Sequence, residues 1–302
     1  MNRSPDHRRS RQQPRLSSRD KAVPVLMAFV PIALVVGLIW LPALATVALS
    51  FTSWDGIGTL ADIRFVGFQN YVDATTIYPP FWPALWHNLL WLSALFLVFT
   101  PLGMFFAVLL DKEIRGSRFY QTSFYLPVVL SAALIGFIWQ LMYSRDQGLL
   151  NALFGTQIDW YGDSSINLWA AILANGWRHT GYIMLLYLSG LKSIDPALRE
   201  AAALDGAGQV QTYLRIVFPV LRPINIIVLT ITVIEGLRAF DLAWVINRGR
   251  NGLELISTLV TQNVVGEASR IGFGSALATI MLILSSVFIL IQLRVVMKGE
   301  NS

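Results

Sequence analysis

Residues 195–223 read DPALREAAALDGAGQVQTYLRIVFPVLRP, a charged, helix-forming stretch set between two long apolar runs. The flanking runs suit hydrocarbon and this stretch does not, so it stands in water while joining two membrane-embedded parts. Asp195 followed by Pro196 is an N-cap with proline at the first helical position, and residues 198–204 are strong helix formers. Asp205-Gly206 predicts the stop, because glycine accepts a left-handed backbone. A second short helix over 210–217 leads to Pro219, which suits the first turn of whatever follows. The expected unit is a helix-turn-helix at the membrane face. Ala201, Ala202 and Ala203 give it a small-residue surface flanked by Glu200 and Asp205. By itself the stretch also reads as a plain amphipathic connector.

The rest of the chain supplies the membrane. Of 302 residues, 55% are hydrophobic and 14% charged, too apolar for a soluble domain with a solvated surface. A net charge of +5 would suggest nucleic acid in a soluble chain. Here the basic residues cluster beside apolar spans, which marks membrane orientation, and no nucleic-acid partner is expected. Cysteine is absent, which excludes disulfides, thiol catalysis and cysteine metal sites. His7, His87 and His179 lie far apart and form no metal-ligand spacing, so no metal site is expected.

Residues 1–23 carry seven Arg or Lys among Pro, Ser and Gln and read as a disordered basic tail. Residues 24–51 then run without a charge. Ala43-Leu44-Ala45 imitates a signal-peptidase site, but the run far exceeds the ~7–15 residues of a signal core, so it reads as an uncleaved first span. Further spans are expected at about 82–110, 119–143, 166–191, 220–240 and 271–297, each near the roughly 20 apolar residues that cross hydrocarbon. Six spans put both termini on one side. That side, with loop 195–219, carries sixteen Lys or Arg against six on the other, which predicts that both termini are cytoplasmic.

Glu200-Ala201-Ala202, Gly206, Ile216 and Pro219 together resemble the EAA motif of ABC importer permeases, with Phe218 where leucine is usual. The fuller form, including Asp205-Gly206-Ala207, is similar to the carbohydrate-uptake branch of maltose and glycerol-phosphate type. Weaker likenesses lie in Phe65-Val66-Gly67-Phe68-Gln69-Asn70-Tyr71, in Phe240-Asp241-Leu242, and around 119–127 and 148–151. Arg248-Gly249-Arg250-Asn251-Gly252 departs from the family's Gly-Gly-Pro turn. The resemblance spans roughly residues 20–298, and only the EAA loop is strongly specific.

The resemblance implies an all-α integral membrane fold, the six-transmembrane-helix bundle of a type I ABC importer permease in the cytoplasmic (inner) membrane. Its loop 195–219 would be the coupling helix seated in a cytoplasmic ATPase subunit, with Glu200, Ala201, Ala202, Asp205, Gly206 and Ala207 as contact residues. Implied partners are a second homologous permease, two ATPase subunits, an extracytoplasmic solute-binding protein, membrane lipid and a sugar-like solute. No Gly-x-x-x-x-Gly-Lys-[Ser/Thr] sequence occurs in the chain. No cofactor is therefore expected on it, and ATP-Mg would sit on the ATPase subunits.

Polar residues within spans are costly and commonly face a cavity or a partner. Asn175, His179 and Tyr182 fall on one helical face, and Asn225, Thr232 and Glu235 mark the next long helix. The two helices flank loop 195–219, so their stripes are expected to converge, and the resemblance implies sugar contacts from the same two helices. The plainer reading is hydrogen bonding between neighbouring helices. Arg178 has three readings: an ion pair with Glu235 or Asp241, a reach toward the outer interface, or a contact to an anionic sugar derivative or phosphate. Trp40, Trp91, Trp139 and Trp169 read as interface or packing residues.

No catalytic residue is expected, because no His, Asp or Glu constellation supports a membrane enzyme. An ion-coupled secondary carrier is the alternative reading. It calls for mid-membrane carboxylates, of which Glu235 is the candidate, and for a repeat between halves that the sequence does not display.

Overall fold

The computed structural model describes residues 18–57, 59–112, 115–266 and 269–300. Most of the basic tail, residues 1–17, lies outside the described residues. The chain divides into two units, Met1–Ala48 and Leu49–Ser302. The first contains α1, which runs as Ser18–Val35, passes through a π turn at Val36–Trp40 and continues as Leu41–Leu49.

In the second unit the helices are α2 (Gln69–Thr76), α3 (Phe81–Asp111), α4 (Ser117–Val129), α5 (Ala132–Met142) and α6 (Leu149–Phe154). They are followed by α7 (Asn167–Lys192), α8 (Pro196–Leu204) and α9 (Gln209–Val220). The chain closes with α10 (Arg222–Leu237), α11 (Asp241–Asn247), α12 (Ile256–Val264) and α13 (Ile271–Glu300). No strand occurs among the described residues beyond an isolated Thr52–Phe65 bridge.

Prolines shape these helices in a recurring way. Three π turns, Val36–Trp40, Leu95–Phe99 within α3 and Tyr213–Val217 within α9, each end two residues before a proline: Pro42, Pro101 and Pro219. A proline ring clashes with the carbonyl four residues back. That carbonyl belongs to Leu38, Leu97 or Arg215, the middle residue of each π turn. Widening the turn moves it aside, so the helix continues past its proline.

Two helix pairs are sharply bent, the first within the expected span 119–143 and the second between the expected short helix 210–217 and the span after it. α4 and α5 meet at 104° and not as one rod over 119–143. Pro127 removes a backbone donor, Leu130 is extended, and Ser131 restarts the helix by accepting a hydrogen bond from the Leu134 amide at 3.2 Å. α9 meets the helix beginning at Arg222 at 77°. Pro219 and Pro223, four apart, each remove a backbone donor around the break at Leu221.

Three helices, Met27–Leu49, Phe81–Asp111 and Ile271–Arg294, are long and apolar enough to cross a membrane, or five spans result if each bent pair is one. α7, with 26 residues, rises about 39 Å and has the length, but Asn175, Arg178 and His179 interrupt its apolarity.

α7 is the axis of the second unit. Where α3 crosses it, a Cβ on Gly103 would lie 2.7 Å from the Thr180 carbonyl oxygen; where α4 crosses, a Cβ on Gly181 would lie 2.1 Å from that of Phe124. Along α7 one apolar cluster gathers around Trp91, Ile135, Tyr143 and Leu168, and a second around Ile183, Tyr187, Val217 and Val228. His179 falls between them.

Before α7, hydrogen bonds from the Ser165 amide and hydroxyl hold the Asp163 carboxyl below the usual carboxylate range, while the Asp163 carbonyl accepts from the Asn167 amide. The 65–71 element has a structural role. Asn70 Nδ2 donates to the carbonyls of Ser50 and Thr52 at 2.8 Å, Tyr71 bonds Ser50 at 2.6 Å, and Gly67 turns at φ +59°. In 248–252, Arg248, Gly249, Asn251 and Gly252 all have positive φ, and Asn167 Nδ2 donates to the carbonyls of Arg250 and Asn251.

Gly181→Ala places its methyl against a backbone oxygen that cannot move without shifting α4. We expect a loss of about 1–3 kcal/mol, the cost of overpacking, measured as a lower thermal midpoint in detergent. A midpoint equal to that of the parent would contradict the close approach.

Candidate functional site

Thr100, His179, Thr232 and Glu235 meet where α3, α7 and α10 come together. His179, 1% exposed, lies 3.0 Å through Nδ1 from Glu235 Oε2, and through Nε2 3.1 Å from Thr100 Oγ1 and 3.3 Å from Thr232 Oγ1. The two threonine hydroxyls are 3.3 Å apart. One proton arrangement satisfies the group with a neutral imidazole: Thr232 donates to Thr100, Thr100 donates to Nε2, and Nδ1–H donates to the Glu235 carboxylate. Arg178 closes the set at 3.5 Å from Glu235 Oε1. Of the two pairings open to Arg178, the fold makes the one with Glu235.

Beside this cluster is an open cavity of about 220 Å³, whose wall includes Trp91, Asn175, Arg178, Glu235, Arg238 and Asp241. The Arg178 and Glu235 side chains are 30% and 26% exposed, so their pair is wetted from the cavity while the His179 side of Glu235 is dry. Trp91 is 1% exposed, and its indole N–H has no hydrogen-bond partner. Cations and carboxylates balance around the cavity, with an aromatic wall and an amide. Such a lining suits a neutral, hydroxyl-rich solute better than a bare ion.

Asn175, Arg178, His179, Thr232 and Glu235 are thus brought together, and two other expected residues are not. Tyr182 packs with the Ile183–Val228 cluster toward the Lys192 end of α7. Asn225 lies two turns before Thr232, and its Nδ2 donates to the Phe218 carbonyl at 3.1 Å, tying α10 to α9. Both share a helical face with the cluster but sit too far along the axis. Thr100 and Arg238 escaped the sequence reading, which took Trp91 for an interface or packing residue and Asp241 for a candidate partner of Arg178. A hydroxyl within an uncharged span was the available sign of Thr100, and Trp91 carried none beyond its size.

Loop 195–219 forms the other end of the arrangement. Asp195 caps α8 by accepting from the Ala197 amide at 2.9 Å, and Gly206 closes it at φ +79°. Ala202 is buried against the chain, whereas Glu200, Ala201, Asp205 and Gly206 are exposed and Ala207 is half-buried. Leu204 is 90% and Val210 73% exposed, which leaves an apolar face on a charged loop. Tyr213, within α9, adds a buried hydroxyl without a partner. Among the described residues no group of three or more His, Cys, Asp or Glu is placed to hold a metal.

A multi-helix apolar chain with a polar cavity between spans and a solvent-exposed helical loop is the architecture of a membrane transport subunit. The chain belongs to the binding-protein-dependent transport system inner membrane components, whose family model matches residues 21–299. It is therefore a permease subunit of an ABC importer, a transport component and not an enzyme, and this family leaves the ion-coupled carrier without support.

A probable ABC transporter permease of Pyrococcus horikoshii is 32% identical over 290 residues, covering 92% of this chain and 97% of that one. The xylose/arabinose import permease XacH of Haloferax volcanii is 34% identical over 245 residues, 79% and 76% of the two chains. Among solved structures, a bacterial ABC transporter that imports the acidic polysaccharide alginate matches with TM-score 0.78 at 20% identity, covering 92% and 95%. It shows the same fold.

Thr100→Val removes the hydroxyl that reaches both His179 and Thr232. We expect about 1 kcal/mol of lost stability, the net worth of one hydrogen bond, seen in detergent unfolding. An unchanged midpoint would count against these hydrogen bonds.

Proposed function

We propose that this chain is the half of a permease pair that conducts a sugar or short oligosaccharide inward across the cytoplasmic membrane, driven by ATP hydrolysed on separate subunits. The observation that carries the reading is the placement of both working parts on one continuous segment: the Asn175–Glu235 cavity between α7 and α10, and the exposed helix α8 in the loop that joins them. In this reading α7 is a span, which makes six with the three single helices, the bent pair α4–α5 and the helix beginning at Arg222, and both termini and loop 195–219 face the cytoplasm. The excess of basic residues on that side supports the orientation.

The coupling loop presents Glu200, Ala201, Asp205, Gly206 and Ala207 to an ATPase subunit, with Ala202 packed behind them, and the apolar Leu204 and Val210 are what such a contact would cover. A second permease, two ATPases and an extracytoplasmic binding protein complete the assembly. Support for sugar as the solute comes from the cavity's balanced charge and aromatic wall and from the relatives' names. Besides XacH, these include the arabinooligosaccharide permease AraP of Bacillus subtilis, 29% identical over 253 residues. Alternating access would expose the cavity to one face and then the other as α8 is driven by the motor.

Two substitutions test the two ends. A Cβ at Gly206 meets nothing within 4 Å in this chain, so Gly206→Asp costs about 1 kcal/mol for the positive φ and otherwise changes only the outward face. In proteoliposomes holding the full transporter, it should abolish sugar uptake while the permease still inserts; normal uptake would sink the coupling role. Asn175→Ala should raise the KM for uptake roughly five- to tenfold, as expected for one lost hydrogen bond, with ATP hydrolysed per sugar unchanged. A KM within twofold of the parent would remove the cavity from the solute path.

A further inference from the structure

Asp111, the last residue of α3, has a side chain only 8% exposed, yet the sequence places it just past an apolar span where a solvated carboxylate would be expected. Its Oδ2 accepts from Arg199 Nη1 at 2.6 Å, and its Oδ1 lies 3.7 Å from Lys192 Nζ. Lys192 ends α7 and Arg199 lies one turn inside α8, so one carboxylate grips both sides of the non-helical joint Ser193–Asp195. Arg199 Nη2 also donates to the Leu191 carbonyl at 3.4 Å, and the neighbouring Lys112 donates to Gln209 of α9 at 2.9 Å.

A helix held by one covalent joint can pivot about it. A second attachment one turn further on fixes its orientation, so that force on α8 turns what lies behind it. From Asp111 the helix runs unbroken back to Thr100, eleven residues or about 17 Å away. There Thr100 bonds His179 beside the cavity, immediately after the π turn Leu95–Phe99.

We propose that Asp111 is the fulcrum of coupling: it locks α8 to α3, and α3 carries the motion of α8 to the Thr100–His179 cluster at the solute cavity. This rests on the reading of 195–219 as the coupling loop. Asp111 is thus a positioning residue that touches no solute. The wedge-like fit of Gly103 against Thr180 makes α3 and α7 move together at the cavity end. The Asp111 grip sets their angle to α8 at the other.

The test uses the full reconstituted transporter. Asp111→Asn keeps the shape and removes the charge that binds Arg199. It should leave the ATPase subunits co-purifying and ATP being hydrolysed, while sugar moved per ATP falls about tenfold, the effect of losing one charge-assisted hydrogen bond. The exchange Asp111→Arg with Arg199→Asp should recover much of that ratio. Because the chain has no cysteine, a thiol introduced by Ala132→Cys at the cavity wall reports access on this chain alone. ATP should change its labelling rate in the parent and in the exchanged pair but not with Asp111→Asn.

Parental coupling with Asp111→Asn would overturn the proposal, as would an ATP-dependent labelling change that survives it. Loss of the ATPase subunits from the complex would also overturn it, by showing a docking role only. Gly206→Asp separates the two ideas: if it uncouples while Asp111→Asn does not, the coupling loop stands and the fulcrum falls.

Discussion

The close approach of α3 to α7 is the contact on which the rest of this molecule depends. Only because Gly103 lacks a side chain can the Thr180 carbonyl and Ile183 lie against α3. At that distance Thr100, one turn away, reaches His179. A larger residue would part the helices, and in hydrocarbon no water would replace the lost partners of the imidazole. The same contact divides the apolar interior into a cluster on either side of His179. The polar site is thus a layer between two dry cores, opening only toward the cavity that Arg178 and Glu235 wet.

Proline gives the bundle its second constraint. It breaks two apolar stretches into bent pairs and widens three turns, and two of those turns border functional segments. Leu95–Phe99 precedes Thr100, and Tyr213–Val217 lies in α9, within loop 195–219. A π turn is a place where a helix changes its hydrogen-bond register at small cost. Segments of this kind at both the cavity and the loop suit a subunit that must alternate between two arrangements. The helical stretches between them, including the one from Thr100 to Asp111, are the stiff parts.

Electrostatics follow burial along the chain. Asp111 and Glu235 are carboxylates held between helices: Asp111 faces Arg199 and Lys192, and Glu235 faces Arg178 and lies against His179. Such pairs contribute little net stability against an apolar replacement, because desolvation offsets much of the attraction. What they supply is geometry, a defined register between helices. That is a more useful property than stability in a machine with two states.

The sequence by itself determined the class of the molecule and the ends of its machinery. Apolar runs longer than the hydrocarbon core cannot be hidden in a soluble fold, and the charged 195–223 stretch cannot enter lipid, so spans and loop were legible from composition. The N-cap at Asp195 and the glycine stop at Gly206 are local signals and read correctly. Helical periodicity also placed Asn175 and His179 on one face and Thr232 and Glu235 on another. It could not say that Tyr182 and Asn225 lie too far along the axis, because periodicity fixes direction around a helix and not depth beside a neighbour. Only the tertiary structure decided that α3 brings Thr100 and Trp91 to the site, that Arg178 pairs with Glu235, and that Asp111 bonds Arg199 of α8. Those partners lie between 56 and 132 residues apart, and nothing local in a chain encodes which distant helix its backbone will meet.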